Sequence, residues 1–210
     1  MRTVEWEPGT PGLEQVQRML EMATSPGVLA IRFSGPRAGS GSLPWQILEA
    51  WTRTRAVTVS DLAGDPGFPA LEVALCADLV VLRKGVALRL PGRGTVPPAG
   101  LVWAAGRAGS RALRRVLLAD GVLDGEEVVD LGLVHRLVGA GDPLPVPDPR
   151  SGAALTTARD LVRAGASWEG SLALERAAFR LLFALGHPEE GARAFLERRE
   201  PCFGREEPEG

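Results

Sequence analysis

Cysteine and histidine are scarce in this chain, and that scarcity narrows the chemistry it can hold. Only Cys76 and Cys202 occur among 210 residues, far apart in sequence, which fits neither a disulfide scaffold nor a C-x-x-C metal site. The two histidines, His135 and His187, have no ligand spacing around them, so no metal is expected. Charge of one sign is also lacking: 24 basic and 26 acidic residues, spread along the whole length, leave a formal net charge of -2. That balance offers no footprint for a nucleic acid backbone. Nowhere do about 18 apolar residues follow one another, as a membrane-crossing helix requires. Met1 to Thr10 has no basic stretch leading into an apolar run. These absences predict a cytoplasmic protein with neither a membrane nor a nucleic acid as partner.

What is present is a 45% hydrophobic chain, long enough for one good core and too short for two ordinary enzymatic domains. Leu13, Val16, Met19, Leu20 and Met22 supply an apolar stripe at helical spacing and predict a helix over 13–24. Val28 to Phe33 is a β-branched, apolar run that stops at Ser34-Gly35-Pro36, as a buried strand meets a turn. A Gly/Ser-rich loop over 36–42, a short helix over 45–53 and a strand over 57–62 follow. Past the turn at Asp65 to Pro69, a helix is expected over 70–76, with Pro69 suited to its start. Short strands are predicted over 79–82 and 86–90, flanking a turn at Lys84-Gly85. This alternation argues for an α/β layer architecture with crossover connections. Helix dominates afterwards, over 111–119, 125–131, 153–165, 171–184 and 188–197. Gly139 to Arg150 carries four prolines and two aspartates. The organisation read from this is a core over 1–138, a linker over 139–150 and a helical region over 151–210.

Three stretches resemble the crotonase superfamily, that of enoyl-CoA hydratase/isomerase. Val57 to Leu82, VTVSDLAGDPGFPALEVALCADLVVL, is similar to the family's strand, glycine-rich turn, helix beginning with a glutamate, and following A-C-D-L strand. Arg111 to Val138, RALRRVLLADGVLDGEEVVDLGLVHRLV, resembles its helix, its "L-D-A-E-E-A" turn-helix and its "G-L-V-N-R-V-V" strand. Leu174 to Phe203, LERAAFRLLFALGHPEEGARAFLERREPCF, is similar to the closing helices and their "E-G-x-x-A-F-L-E-K-R-x-P-x-F" ending. The resemblance implies an α/β fold of the ClpP/crotonase-like type, a ββα-spiral core with a helical C-terminal region. It also implies acyl-CoA or a related acyl thioester as ligand, with coenzyme A present only as part of the substrate. Assembly as a homo-oligomer, a trimer or dimer of trimers, or as a hetero-oligomer with another crotonase, is implied likewise.

The family's chemistry uses two backbone N–H groups that meet negative charge developing on the thioester oxygen. Losing one such donor typically costs about 2.7 to 4 kcal/mol of barrier. Aligned on Glu72, Pro69 stands where the resemblance expects a donating glycine, and proline has no N–H. Ala70 would have to donate instead. The other donor is expected from Gly39 to Leu43, with Gly41 and Ser42 as candidates; a plain surface loop is the competing reading. Hydration also needs two carboxylates that hold and deprotonate a water. Glu72 matches the first, although a glutamate in a first helical turn is favoured by the helix dipole in any case. Gly92 stands in place of the second. Arg93 beside it is either a partner for a ligand carboxylate or phosphate, or a solvated loop arginine. By resemblance, Arg198 and Phe203 belong to the tail that helps cover the CoA nucleotide. Asp78 and His135 match structural positions of the family, Asp61 and Asp65 are read as turn residues, and His187 is expected exposed in an interhelical turn.

Two functions follow as expectations. One is an acyl thioester-binding, enoyl-CoA hydratase/isomerase-like protein, a lyase or isomerase if active, with Glu72 as sole acid/base group in isomerisation, decarboxylation or hydration. The other is a degenerate, catalytically silent crotonase homologue acting as partner or scaffold subunit in a biosynthetic complex.

Overall fold

Segment 56–62 forms the middle strand of a parallel sheet and is buried at all seven residues, its alanine, valines and leucine filling the core while Thr58 and Asp61 are accommodated by hydrogen bonds to Asp78 and Arg83. In the computed structural model, residues 1–35, 43–90, 98–118, 121–146, 152–164, 176–177 and 179–203 are described. They fall into two compact units, Met1–Val146 and Pro147–Gly210.

The first unit is built on five parallel strands in the order β1 (Arg2–Glu5), β2 (Gly27–Phe33), β3 (Ala56–Leu62), β4 (Leu79–Arg83) and β7 (Arg136–Val138). Helices α1 (Gly12–Met22), α2 (Trp45–Thr52) and α3 (Ala70–Leu75) connect the first four strands, as parallel pairing requires of its crossovers. Two further helices, α4 (Ala99–Ala108) and α5 (Ser110–Leu118), lead to α6 (Gly125–Asp130). A separate antiparallel pair joins β5 (Leu88–Arg89) to β6 (Val122–Leu123). The turn between β4 and β5 places Gly85 at φ +89°, a conformation that glycine adopts without a Cβ penalty.

Most predicted elements stand within one or two residues of their expected bounds, while β1, β6 and α4 were not foreseen. On α1 the buried face is Gln15, Val16 and Met19, and Leu13 points out instead. Gln15 earns its place in the core by hydrogen bonding: its amide donates to the carbonyls of Glu7 and Thr10 and accepts from Glu7 N–H. Trp51 is fully buried and donates to Val73 O at 3.2 Å, tying α2 to α3. Asp78 is structural. Its carboxylate accepts from both Thr58 N–H and Thr58 Oγ1 at 2.9 Å, which fixes the turn between α3 and β4 against β3. His135 is structural too, since Nδ1 accepts from Val80 N–H at 2.9 Å and its own N–H donates to Val80 O at 2.8 Å. Burial pushes its pKa below the ordinary value, which keeps the ring neutral and Nδ1 an acceptor. Asp124 caps α6 by accepting from Glu127 N–H at 2.8 Å, the physical content of the L-D-G-E-E stretch.

The second unit holds α7 (Gly152–Ala164), a helical segment at 179–184 and α8 (His187–Glu197). Part of the helix predicted over 171–184 lies outside the described residues. His187 opens α8 and is half-buried, with its ring 5.0 Å from that of Phe203, rather than exposed in a turn. Arg199 forks onto Glu190, whose pKa falls to about 2 through that hydrogen bond.

Candidate functional site

In a parallel sheet, ligand-binding groups gather beyond the carboxyl ends of the strands. Here the ends of β2 and β3 come very close: a Cβ on Gly64 would lie 2.6 Å from Gly35 O and 2.8 Å from Ser34 O. Beside them, Trp6, Pro8, Phe33, Gly35, Pro66, Gly67 and Ala70 line a small cavity of about 10 Å³, room for about one water. Pro69 occupies the position before α3, so Ala70 carries the first N–H of that helix, and such an N–H has no acceptor within the helix. The turn before α3 and the end of β2 thus face a common cavity with Ala70 on its wall. Gly12, at the start of α1, packs against the Pro69 ring.

Glu72 is fully buried in the first turn of α3. Its Oε2 accepts from Leu43 N–H and its Oε1 from Gly100 N–H, each at 3.1 Å. Leu43 ends the loop expected to meet a thioester. Gly100 lies in the first turn of α4, whose preceding residue, Pro98, makes no side-chain cap. The carboxylate therefore caps a helix from outside, satisfying a donor that α4 leaves open and setting negative charge at its positive end. Desolvation raises the pKa of Glu72, and the hydrogen bonds from Gly100 and Leu43 oppose the rise. Gly100 permits this approach, since a Cβ there would lie 2.9 Å from Glu72 Cβ and 3.3 Å from both Glu72 Cα and Cys76 Sγ.

Gly100 also lines a larger cavity of about 370 Å³, together with residues of α2 and α4, including Trp45, Leu48, Ala99 and Trp103, and with Cys76 just after α3. None of these residues except Gly100 touches the Glu72 carboxylate by hydrogen bond. Sequence reasoning passed over this cavity and over the two backbone donors to Glu72. The Pro97-Pro98-Ala99-Gly100 start of α4 was the signal at hand.

Other predicted positions fall elsewhere. Gly41, Ser42, Gly92 and Arg93 lie outside the described residues. Arg198 and Phe203 are in the second unit, where Arg198 ends α8 in the left-handed region at φ 53° and Phe203 meets His187. Asp61 is not a turn residue. It is buried within β3, where Arg83 of β4 donates to both its oxygens at 2.7 and 3.0 Å and Arg32 approaches to 3.7 Å. Asp65 does lie between elements, 2.7 Å from Arg89. Among the described residues, no group of three or more His, Cys, Asp or Glu could hold a metal ion, and no helix is long and apolar enough to cross a membrane.

A parallel sheet with helical crossovers, followed by a helical second unit, fits the expected crotonase fold. Comparison with solved structures agrees. An enoyl-CoA hydratase from Bacillus anthracis superposes with a TM-score of 0.75 at 17% identity, over 92% of this chain and 88% of that one. One from Polaromonas gives 0.74 at 19%, over 95% of each. In sequence, the chain is 29% identical over 161 residues to a Bacillus subtilis protein carried under the provisional name enoyl-CoA hydratase/isomerase YhaR. That match takes in 71% of this chain and 63% of the relative's length. No protein-family model matches the chain. The structural likeness shows the crotonase fold, and the chain is similar in sequence to one enoyl-CoA hydratase/isomerase relative, of which it spans less than two thirds.

Proposed function

We propose that this chain binds an acyl-CoA, or the same thioester on a carrier-protein arm, as a crotonase homologue without two-carboxylate hydration. The observation that carries the proposal is the state of Glu72, whose two oxygens are each taken by a backbone N–H. A base that deprotonates water must reach that water, and Glu72 is fully buried, with its oxygens held toward Leu43 and α4. Gly92 in place of the second carboxylate and Pro69 in place of a donating glycine point the same way. What is left is the crotonase fold, with Ala70, the first residue of α3, on the wall of the small cavity. The chain then acts as a silent subunit of a homo- or hetero-oligomer.

A second reading rests on burial, which raises the pKa of Glu72 above the ordinary carboxylate value, the direction in which a carboxyl group becomes a better general acid or base. Isomerisation or decarboxylation with Glu72 alone would require the buried carboxylate to become accessible when ligand binds.

Calorimetric titration with a panel of acyl-CoAs, together with product analysis on enoyl-CoAs, separates these. The silent reading expects wild type and Glu72→Gln to bind alike without turnover. Turnover by wild type that disappears in Glu72→Gln would transfer the conclusion to the second reading. No binding at about millimolar ligand, a free energy near 4 kcal/mol, would end both. Activity gained by Pro69→Gly would support the alignment that puts Pro69 at the donor position.

A further inference from the structure

The near balance of charge over the whole chain hides a local excess. Residues 79–119 hold eight basic side chains and no acidic one. Three of the eight pair with carboxylates from elsewhere: Arg83 with Asp61, Arg89 with Asp65 and Arg115 with Glu127, each at 2.7 Å. Arg107, Arg111 and Arg114 are exposed and have no carboxylate partner among the described residues. Arg107 lies 4.6 Å over the Trp103 ring, a contact that orients its guanidinium without neutralising it. On α5, buried Ala112 and Val116 fix the inward face, and Arg111 and Arg114 share the flank turned away from it. Arg111 and Arg115 stand four residues apart on that helix, a spacing at which like charges destabilise it. The cluster therefore does not serve the stability of α5.

Its place relative to the candidate site is set by α4. That helix starts where Gly100 is bonded to Glu72 and runs for ten residues to the break at Gly109, a length of about 15 Å. Arg107, Arg111 and Arg114 cluster at its far end, a distance that an extended pantetheine arm bridges. From this juxtaposition we propose that the arginine flank of α4 and α5 docks an acidic carrier protein, whose pantetheine arm then reaches the site along α4. The inference rests on the acyl thioester reading and names the thioester's source. A phosphate of free coenzyme A is held best by donors that converge on one point. Here the guanidinium groups stand in a row on an exposed helical surface, which matches the spread negative charge of a protein face instead. The net charge of -2 opposes a nucleic acid as the occupant.

The test is calorimetric titration of the full chain with one acyl group, crotonyl, on three carriers: an acidic acyl carrier protein, coenzyme A and pantetheine alone. At low salt the carrier-protein thioester is expected to bind about tenfold tighter than crotonyl-CoA, and to lose that advantage in about 0.5 M salt. Arg111→Glu combined with Arg114→Glu should abolish the advantage and leave binding of crotonyl-pantetheine unchanged. Arg111→Lys with Arg114→Lys should retain it, with circular dichroism verifying that each variant folds. A carrier-protein thioester no tighter than crotonyl-CoA, or an advantage that survives charge reversal, overturns the inference while the thioester reading stands. Charge reversal that weakens crotonyl-CoA as much as the carrier-protein thioester gives the arginines to the coenzyme's phosphates and overturns it as well. So does an RNA oligonucleotide that binds tighter than the carrier protein and is lost on charge reversal. Failure of all three thioesters to bind overturns both readings.

Discussion

A buried carboxylate is costly unless its oxygens are satisfied, and Glu72 shows both sides of that balance. Desolvation favours its protonated form, and two backbone donors favour the ionised one; desolvation is the larger. Its folded pKa lies above the ordinary 4.5, so its contribution to stability is full below that value and declines as pH rises through the folded pKa. Glu72→Gln retains one accepting oxygen and turns an amide N–H toward the other donor, at a cost of about 1 to 3 kcal/mol. In denaturant titrations between about pH 4 and 7, the gap between wild type and this variant is expected to narrow as pH rises. A gap that widened would mean that the two N–H groups outweigh desolvation. Arg83 presents a second buried charge, paired with Asp61 and donating to Gly139 O and Asp142 O at 2.8 and 2.6 Å. Arg83→Met would strand a buried aspartate and two carbonyls, and is expected to cost about 3 to 5 kcal/mol in urea unfolding. Loss of under about 1 kcal/mol would show that water replaces the guanidinium. Glu72 was legible as a first-turn glutamate, but its partners were not. Leu43 and Gly100 are 29 and 28 positions away and act through backbone N–H groups, which leave no mark on residue type.

Elements declared themselves in the sequence where one period dominated. Ala56–Leu62 reads as a buried strand because it is buried on both faces, and α1 reads as a helix because Val16 and Met19 share one. β1 was missed because Arg2-Thr3-Val4-Glu5 buries only part of one face at the sheet edge and keeps charge on the other. α4 was missed because its AGLVWAAGRA sequence has two glycines and begins after two prolines, and its register is set from outside by α3. That dependence is testable at Gly100. Gly100→Ala puts a methyl 2.9 Å from Glu72 Cβ and 3.3 Å from Glu72 Cα, so α4 must move away from α3. The expected loss is about 1 to 3 kcal/mol, read as a lowered melting temperature, despite alanine's better helix propensity. A variant more stable than wild type would show that α4 is free to slide on α3.

At the scale of the whole molecule, the Met1–Val146 unit contains all five parallel strands and a hydrophobic cluster running from Trp6 to Val134. Its last structural tie is local, because Arg83 reaches the carbonyls of Gly139 and Asp142 from within the sheet and so fastens the chain after β7. Among the described residues, Ser60 Oγ and Asp65 Oδ1 are buried side-chain oxygens there without a hydrogen-bond partner. Folding of a unit requires its own core, and the first unit has one. A fragment ending at Val146 is therefore expected to unfold cooperatively, with a single thermal transition and native-like near-ultraviolet circular dichroism from Trp6, Trp45, Trp51 and Trp103. The resemblance assigns assembly to the helical C-terminal region, so the same fragment should sediment as a monomer while the full chain sediments as an oligomer. A fragment that assembles like the full chain would move the assembly surface into the first unit. A fragment with the broad transition and lost near-ultraviolet signal of a molten globule would show that the first unit depends on the second for its packing.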